Sequence, residues 1–302
     1  MLWIPLTFAA AFFQNLRSAV QKHLKSELTD WGAASVRFVY AVPFALIWLL
    51  ALMYAGGLAL PGINGAFIIW VLGGSISQII FTVLLMWLFS LSNFTVGTAL
   101  SKTEVVQVIL LEALLLQSDI SGTGLIAIIV AFVGVVIMTV GKSGNTLARV
   151  FAGLGQKTTL VGLACGLALG LSSVLFRGAA LALEDGGLMM RSAFTLAVAT
   201  STQSLILLVL LSVREPGQIQ KTLVHWKTCT LVGFAGWAAS ICWFMAFTLT
   251  QAAYVRALGQ IELIFTFIAS VFFFREKVSA TEIIGVLLLI GAIIALILEK
   301  AA

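Results

Sequence analysis

Long apolar runs, separated by short polar segments, recur from one end of this chain to the other. Most runs have about 18 residues or more, which is enough for a helix to cross a hydrocarbon core of about 30 Å. Turn signals such as Gly56-Gly57 and Glu215-Pro216-Gly217 separate the runs. The pattern predicts an all-α integral membrane protein with ten transmembrane helices, at residues 3–22, 31–55, 66–90, 95–117, 123–141, 159–183, 188–212, 229–249, 252–274 and 280–298.

The longest segment between predicted spans divides the ten helices into five and five. We predict a first five-helix repeat at residues 1–142, an inter-repeat loop at 143–158 and a second five-helix repeat at 159–302. Because five is an odd number, the second repeat must enter the membrane upside down relative to the first. This inverted repeat is common among secondary transporters, whose substrate site lies near the bilayer midplane between the repeats.

A few residues match when one half is laid on the other. A shift of 158 places Ser101-Lys102-Thr103-Glu104 on Gly259-Gln260-Ile261-Glu262, and Ser121 on Ser279. A shift of 154 places Arg37 on Arg191. These identities are few, so they suggest the repeat rather than establish it.

The composition agrees with a membrane protein. The chain is 61% hydrophobic and 10% charged, with a mean hydropathy of +1.12, whereas a soluble domain has about 25% charged residues. The net charge of +5 describes loops and orientation rather than a nucleic-acid surface. We therefore expect a multi-pass protein of the cell (inner) membrane that binds lipid and a small molecule and has no nucleic-acid partner.

Residues 97–117 carry three formal charges within a predicted span: Lys102, Glu104 and Glu112. A charge near mid-bilayer costs about 2.5–3.5 kcal/mol on insertion scales, so three cost on the order of 8–10 kcal/mol. The apolar residues of the span recover only about 3–6 kcal/mol. This helix must therefore turn its charges toward water or toward partners inside the protein.

Glu104 and Glu262 lie at similar depths, each about ten residues into its predicted helix, or about 14 Å along the axis. In one interpretation, at least one of them faces a cavity and couples transport to the proton gradient by binding and releasing a proton. In the other, each is held in a buried ion pair with Arg17, Arg177, Arg256 or Lys102. Both interpretations stay open from the sequence, and Glu112 is expected to form a structural pair.

Other polar and aromatic residues within spans are candidates for solute contact. Neutral hydrogen bonds could come from amides on the first, third and fourth helices, and an aromatic wall from three tryptophans, although each tryptophan could equally pack in the core or against lipid. Trp3, Trp31 and Trp226 fit interfacial belts. The full set of predicted binding or coupling residues is Glu104, Glu262, Lys102, Gln14, Asn15, Arg17, Gln78, Gln107, Trp87, Trp237, Trp243 and Gln260.

The order of motifs in this chain resembles the drug/metabolite transporter superfamily, specifically the EamA-type permeases. The resemblance is carried by residues 259–295, with Glu276, Ser279, Glu282, Gly285 and Gly291, and by ALSKTEVVQ at 99–107 as the counterpart in the first half. The first half departs from the pattern, with Ser118-Asp119 where the second half has Glu276-Lys277. The resemblance implies ten helices around a central cavity and transport of small organic solutes by alternating access, but it does not imply one substrate.

Basic residues are concentrated in loops after odd-numbered predicted helices, which predicts that these loops are cytoplasmic and that both termini lie outside. The resemblance implies the reverse orientation of the termini. Enzyme motifs such as G-x-S-x-G, H-E-x-x-H and the P-loop do not occur in the sequence, and the three cysteines show no C-x-x-C spacing. We therefore expect no enzyme activity, no metal and no cofactor.

Together, these features predict a secondary active transporter that exports a small organic metabolite such as an amino acid, with proton coupling as one option, acting as a monomer or dimer. The alternatives are a multidrug or cationic-compound exporter, and a membrane enzyme or scaffold that transports nothing.

Overall fold

The computed structural model describes residues 1–24, 27–90, 101–142, 157–272 and 279–301. Across these residues the chain is helical and contains no β-strand. The helices are α1 (Trp3–Leu24), α2 (Asp30–Val39), α3 (Val42–Tyr54), α4 (Gly65–Ser90), α5 (Glu104–Leu116), α6 (Gly122–Lys142), α7 (Lys157–Ala182), α8 (Leu188–Arg214), α9 (Pro216–Val224), α10 (Trp226–Leu249), α11 (Ala252–Gly259), α12 (Ile261–Phe272) and α13 (Ala280–Ala301).

Seven segments within the described residues are long and apolar enough to cross a membrane. They are Asp30–Tyr54, Gly65–Leu85, Gly122–Thr139, Thr159–Ala182, Leu188–Arg214, Trp226–Leu249 and Ala280–Lys300. The chain is thus a multi-pass membrane protein, while the predicted count of ten spans stays a prediction. The start of the predicted fourth span and nearly all of the predicted inter-repeat loop lie outside the described residues.

Several helices are shorter than the apolar pattern predicts. The predicted span 31–55 is interrupted at Tyr40 and Ala41, and the predicted span 252–274 is interrupted at Gln260. Residues 102–103 form a turn immediately before α5. The sequence also did not predict α9, which occupies a segment assigned to a loop. Hydropathy averaged over the length of a span does not reveal these irregular points, because apolar runs lie beside each of them.

One serine precedes the last helix of each sequence half: Ser121 before α6 and Ser279 before α13. Gly124 donates its backbone N–H to Ser121 Oγ at 2.9 Å, at the start of α6. Glu282 donates its backbone N–H to Ser279 Oγ at 3.2 Å, and the Ser279 backbone N–H returns a bond to Glu282 Oε2 at 2.8 Å. The second arrangement is a capping box, in which two N–H groups without helical partners are satisfied reciprocally.

Small residues let α6 and α13 pack with their backbones close together. A Cβ added at Gly285 would lie 2.5 Å from the backbone N of Met138 and 2.7 Å from the carbonyl oxygen of Gly134. Gly166 also allows a close approach, since a Cβ there would lie 2.7 Å from Ser101 O, just before α5. Such backbone approaches stabilise helix contacts in lipid, where packing replaces the hydrophobic effect.

The chain forms two compact units, and each combines segments from both sequence halves. The first contains Met1–Ile4, Ser77–Val174 and Thr250–Ala302; the second contains Pro5–Ile76 and Leu175–Leu249. These units are groups of packed residues and do not coincide with the predicted repeats at 1–142 and 159–302. The division into repeats therefore stays a prediction.

Candidate functional site

The first compact unit holds a buried ion pair between the two sequence halves. Arg256 on α11 donates from Nη2 to Oε1 of Glu104 at 2.5 Å. Glu104 is the first residue of α5. Gln260, in the break after α11, donates from Nε2 to the same oxygen at 3.3 Å. The Glu104 side chain is 0% exposed, so its charge is compensated only by the protein. Removing either charged partner would leave the other without its counter-ion in a medium of low dielectric constant.

A second ion pair lies in the same unit, beside the turn at residues 102–103 and the break at Gln260. Lys102, in the turn before α5, donates from Nζ to Glu262 Oε1 at 2.7 Å, near the start of α12. The two side chains keep 18% and 15% of their surface exposed. This pair is therefore more accessible than the pair of Glu104 and Arg256.

The contacts of the two glutamates are related by the shift that aligns the two halves. A shift of 158 converts Lys102 into Gln260 and Glu104 into Glu262. The contact of Lys102 with Glu262 and the contact of Gln260 with Glu104 are consequently the same contact made in opposite directions. Both contacts therefore join the same two segments, residues 102–104 and residues 260–262.

Glu112 is also buried, and its carboxylate binds backbone groups. Its two carboxylate oxygens accept the N–H groups of Ala252 and Ala253 at 2.8 and 3.0 Å. These are the first residues of α11, where helical N–H groups have no partner within the helix and the helix dipole favours a negative charge. The α5 helix therefore contacts α11 at two points. Glu112 binds the first residues of α11, and Glu104 binds Arg256 near the end of α11.

Three acceptor oxygens near the breaks have no donor among the described residues, although each is buried: Glu104 Oε2, Gln107 Oε1 and Gln260 Oε1. Gln107 lies one turn after Glu104 and donates from Nε2 to Leu163 O at 3.4 Å. Buried acceptors of this kind are costly unless a donor reaches them. These three oxygens can thus accept hydrogen bonds from a polar solute or from a group that donates a proton.

Some predicted site residues lie in the second compact unit. Gln14 on α1 accepts a hydrogen bond from Trp243 Nε1 on α10 at 3.2 Å. Arg17, one turn further along α1, is buried, and its Cδ would lie 3.5 Å from a Cβ added at Gly236. Asn15 is half-buried beside them in sequence. These residues pack α1 against α10 within their unit.

The three remaining predicted residues, Trp237, Trp87 and Gln78, differ in their neighbours and in their exposure. Trp237 lies in an aromatic group, with its ring centroid 6.1 Å from Phe44 and 6.2 Å from Trp48. Its position within this group agrees with the core-packing alternative. Trp87 is 43% exposed, and Gln78 is half-buried on the same helix, α4.

The structure therefore brings together Lys102, Glu104, Gln260 and Glu262, and it places Gln107 on the same helix as Glu104. Glu104 is paired with Arg256 and Glu262 with Lys102. Both cations are among the four that the second interpretation named as partners. The sequence could not select Arg256 among several cations, because partner choice depends on the fold. It also did not predict that Glu112 would bind the start of α11, since backbone N–H groups leave no signal in residue types.

Comparison with known proteins agrees with the membrane assignment. Residues 159–298 match the model of the EamA-like transporter family, which confirms the resemblance noted in the sequence. A solved crystal structure of a protein superimposes with a TM-score of 0.72 at 13% identity, over 98% of this chain and 96% of the other. At that identity the likeness concerns the fold alone. No curated protein matches the sequence.

Proposed function

We propose, on the premise that the second half of this chain belongs to the EamA-like transporter family, that the protein is a secondary active transporter of a small organic solute. That family consists of membrane transporters of the drug/metabolite transporter type, which agrees with a function other than catalysis. The solute would bind near the two helix breaks, between α5 of the first half and α11–α12 of the second. Irregular backbone at corresponding positions of two halves, here the turn at residues 102–103 and the break at Gln260, is typical of a transporter binding site.

The observation that carries this proposal is the ion pair of Lys102 and Glu262. It joins the two halves at the breaks, and both side chains are partly exposed. A solute that carries opposite charges can replace the pair with two new ion pairs, so that no unpaired charge enters the membrane. The pair of Glu104 and Arg256, with the carboxylate fully buried, instead acts as the fixed contact around which the halves rock.

An amino acid or a similar zwitterion fits this exchange, and export is the proposed direction. Proton coupling would use the glutamate that the solute displaces from its cation, because protonation removes the negative charge that has lost its partner. Glu262 is the proposed coupling residue, since it belongs to the more accessible pair. The sequence alone allowed either Glu104 or Glu262 as the coupling residue, and the difference in exposure favours Glu262. We place the protein in the inner membrane.

A ligand screen followed by reconstitution tests the proposal. Purified protein is screened for thermal stabilisation by metabolites, since a ligand at 100 times its Kd adds about 2.7 kcal/mol to stability. A stabilising metabolite is then loaded into proteoliposomes with a pH gradient. We expect uphill transport by the wild type and by Glu299→Gln, which lies outside the ion pairs, and loss of uphill transport in Glu262→Gln. Uphill pumping by well-folded Glu262→Gln would refute the coupling role, and the absence of transport for every stabilising metabolite would refute the transporter assignment.

A further inference from the structure

The short helix α9 lies where two membrane-spanning helices end. α8 ends at Arg214 and α10 begins at Trp226, and both are long and apolar enough to cross a membrane. α9 occupies nine residues between them. A helix of that length between two spans stays at the same membrane surface, because at about 1.5 Å per residue it reaches only about 14 Å.

The face of α9 that packs against the protein is polar. Gln218 and Thr222 are its buried residues. Gln218 Oε1 accepts the backbone N–H of Thr29 at 3.0 Å, and Tyr40 donates its hydroxyl to the Thr222 carbonyl oxygen at 2.8 Å. In a soluble protein the buried stripe of a surface helix is apolar. Here that arrangement is reversed.

The opposite side of α9 exposes Gln220 and, towards its C-terminal end, a group of apolar residues. Leu223 is 63% exposed, Val224 is 75% exposed, and the neighbouring Trp226 is 55% exposed. Val213, at the end of α8, is 78% exposed. An apolar face of this kind beside the ends of two spans is stable only against an apolar phase, and tryptophan is enriched at the level of lipid headgroups.

Basic residues flank this apolar face. Arg214, Lys221 and Lys227 are all exposed, and the Lys227 ammonium lies 5.9 Å from the centroid of the Trp226 ring. Two acids also lie nearby: Glu215 accepts a bond from the Thr29 hydroxyl at 2.5 Å, and Glu27 lies 3.8 Å from Nε2 of His225, between Val224 and Trp226. The three exposed basic residues outnumber these two acids, so the surface next to the apolar residues carries a net positive charge.

We propose that α9, together with Val213, Arg214, Trp226 and Lys227, is an interfacial helix that binds an anionic phospholipid leaflet. Its apolar residues insert at the boundary of headgroups and acyl chains, and its three basic residues bind lipid phosphates. Binding of this kind combines buried apolar area with attraction to anionic lipid. Each basic residue near an anionic surface contributes about a fivefold preference. This inference concerns a surface separate from the ion-pair cluster and does not depend on which solute is carried.

Quenching of tryptophan fluorescence by brominated lipid tests the inference. The full-length protein is reconstituted into mixed phosphatidylglycerol and phosphatidylcholine, with bromine on only one lipid at a time. The difference in signal between wild type and Trp226→Phe isolates Trp226. We expect stronger quenching per brominated molecule when the anionic lipid carries the bromine. The preference should fall several-fold when Arg214, Lys221 and Lys227 are replaced by Gln, singly or together, and should not change in Lys300→Gln.

Three outcomes would overturn the proposal. If neither brominated lipid quenches Trp226, α9 does not lie in the bilayer and its exposed face serves a protein partner. If both lipids quench equally, the anionic preference is wrong. If Gln at the three basic positions leaves the preference unchanged in folded protein, those residues do not bind lipid phosphate. Should the triple variant fail to fold, the three single variants decide the same point.

Discussion

The Nζ atom of Lys102 lies 2.7 Å from Oε1 of Glu262, across a sequence separation of 160 residues. Lys102 stands in a turn and Glu262 follows a helix break, so both are held at points where backbone regularity is lost. The equivalent contact, obtained by adding 158 to Lys102 and subtracting 158 from Glu262, joins Gln260 to Glu104. One position of each half thus donates to the glutamate of the other half, and the donor is a cation in only one of the two contacts.

Replacing Glu104 with Gln should strongly destabilise the protein. The Arg256 guanidinium would remain buried and lose the carboxylate that now lies 2.5 Å away. Removing one partner of a buried ion pair costs about 3–5 kcal/mol. The free energy of unfolding, measured by equilibrium unfolding in detergent, should fall by that amount. The double variant Glu104→Gln with Arg256→Gln should recover part of the loss, and a double variant less stable than Glu104→Gln would contradict this explanation.

Reversing the charges of the more accessible pair tests whether Lys102 and Glu262 act on each other. We expect Lys102→Glu alone and Glu262→Lys alone to reduce stability, because each places two like charges about 3 Å apart. The combination of both changes should restore at least about 1 kcal/mol relative to the sum of the single effects. A double-mutant cycle by thermal unfolding measures this coupling. Additive losses would show that the two side chains do not interact in solution.

Glu112 is predicted to stabilise the start of α11 rather than to take part in transport. Glu112→Ala removes the acceptors of two buried N–H groups, and each unsatisfied group costs about 1–3 kcal/mol. Glu112→Gln keeps one acceptor oxygen and should lose about half as much. Unfolding free energies of the two variants provide the measurement. Equal stability of Glu112→Ala and wild type would exclude the capping role.

Two glycines of α13 provide a matched pair for testing helix packing. Gly285→Ala should destabilise the protein by about 1–3 kcal/mol, because the new methyl group meets backbone atoms of α6 at 2.5 and 2.7 Å. Gly291→Ala should be neutral or stabilising by up to about 1 kcal/mol, since no atom lies within 4 Å of its added Cβ and Ala favours helix. Melting temperatures of both variants test the difference. Similar losses for both would mean that α6 and α13 pack differently.

Much of the helix pattern was predictable because a helix that crosses a bilayer needs a run of about 18 or more apolar residues. Helices near residues 3–22, 66–90 and 188–212 occur close to their predicted bounds. The breaks at Tyr40 and Gln260 were not predicted, because apolar runs lie on both sides of each, although Pro43 follows the first and Gly259 precedes the second. The helix α9 was missed because its polar residues face inward, which makes its sequence resemble a loop.

The candidate site was only partly predictable. Composition identified charges that a lipid-facing helix could not carry, and it correctly required them to have partners. It could not choose between Lys102 and Arg256 as the partner of either glutamate, because those choices depend on contacts more than 150 residues apart in the chain.

The sequence by itself determined that the chain crosses a membrane and that it resembles a transporter family, and it predicted that Glu104 and Glu262 lie within the membrane. These properties follow from the free energy of transferring each residue into hydrocarbon, which is a local quantity. The tertiary structure alone decided which cation each glutamate binds, that Glu112 caps a helix, and that one pair is more exposed than the other. Those outcomes depend on where distant backbones meet, and transfer energies summed along a chain carry no information about that.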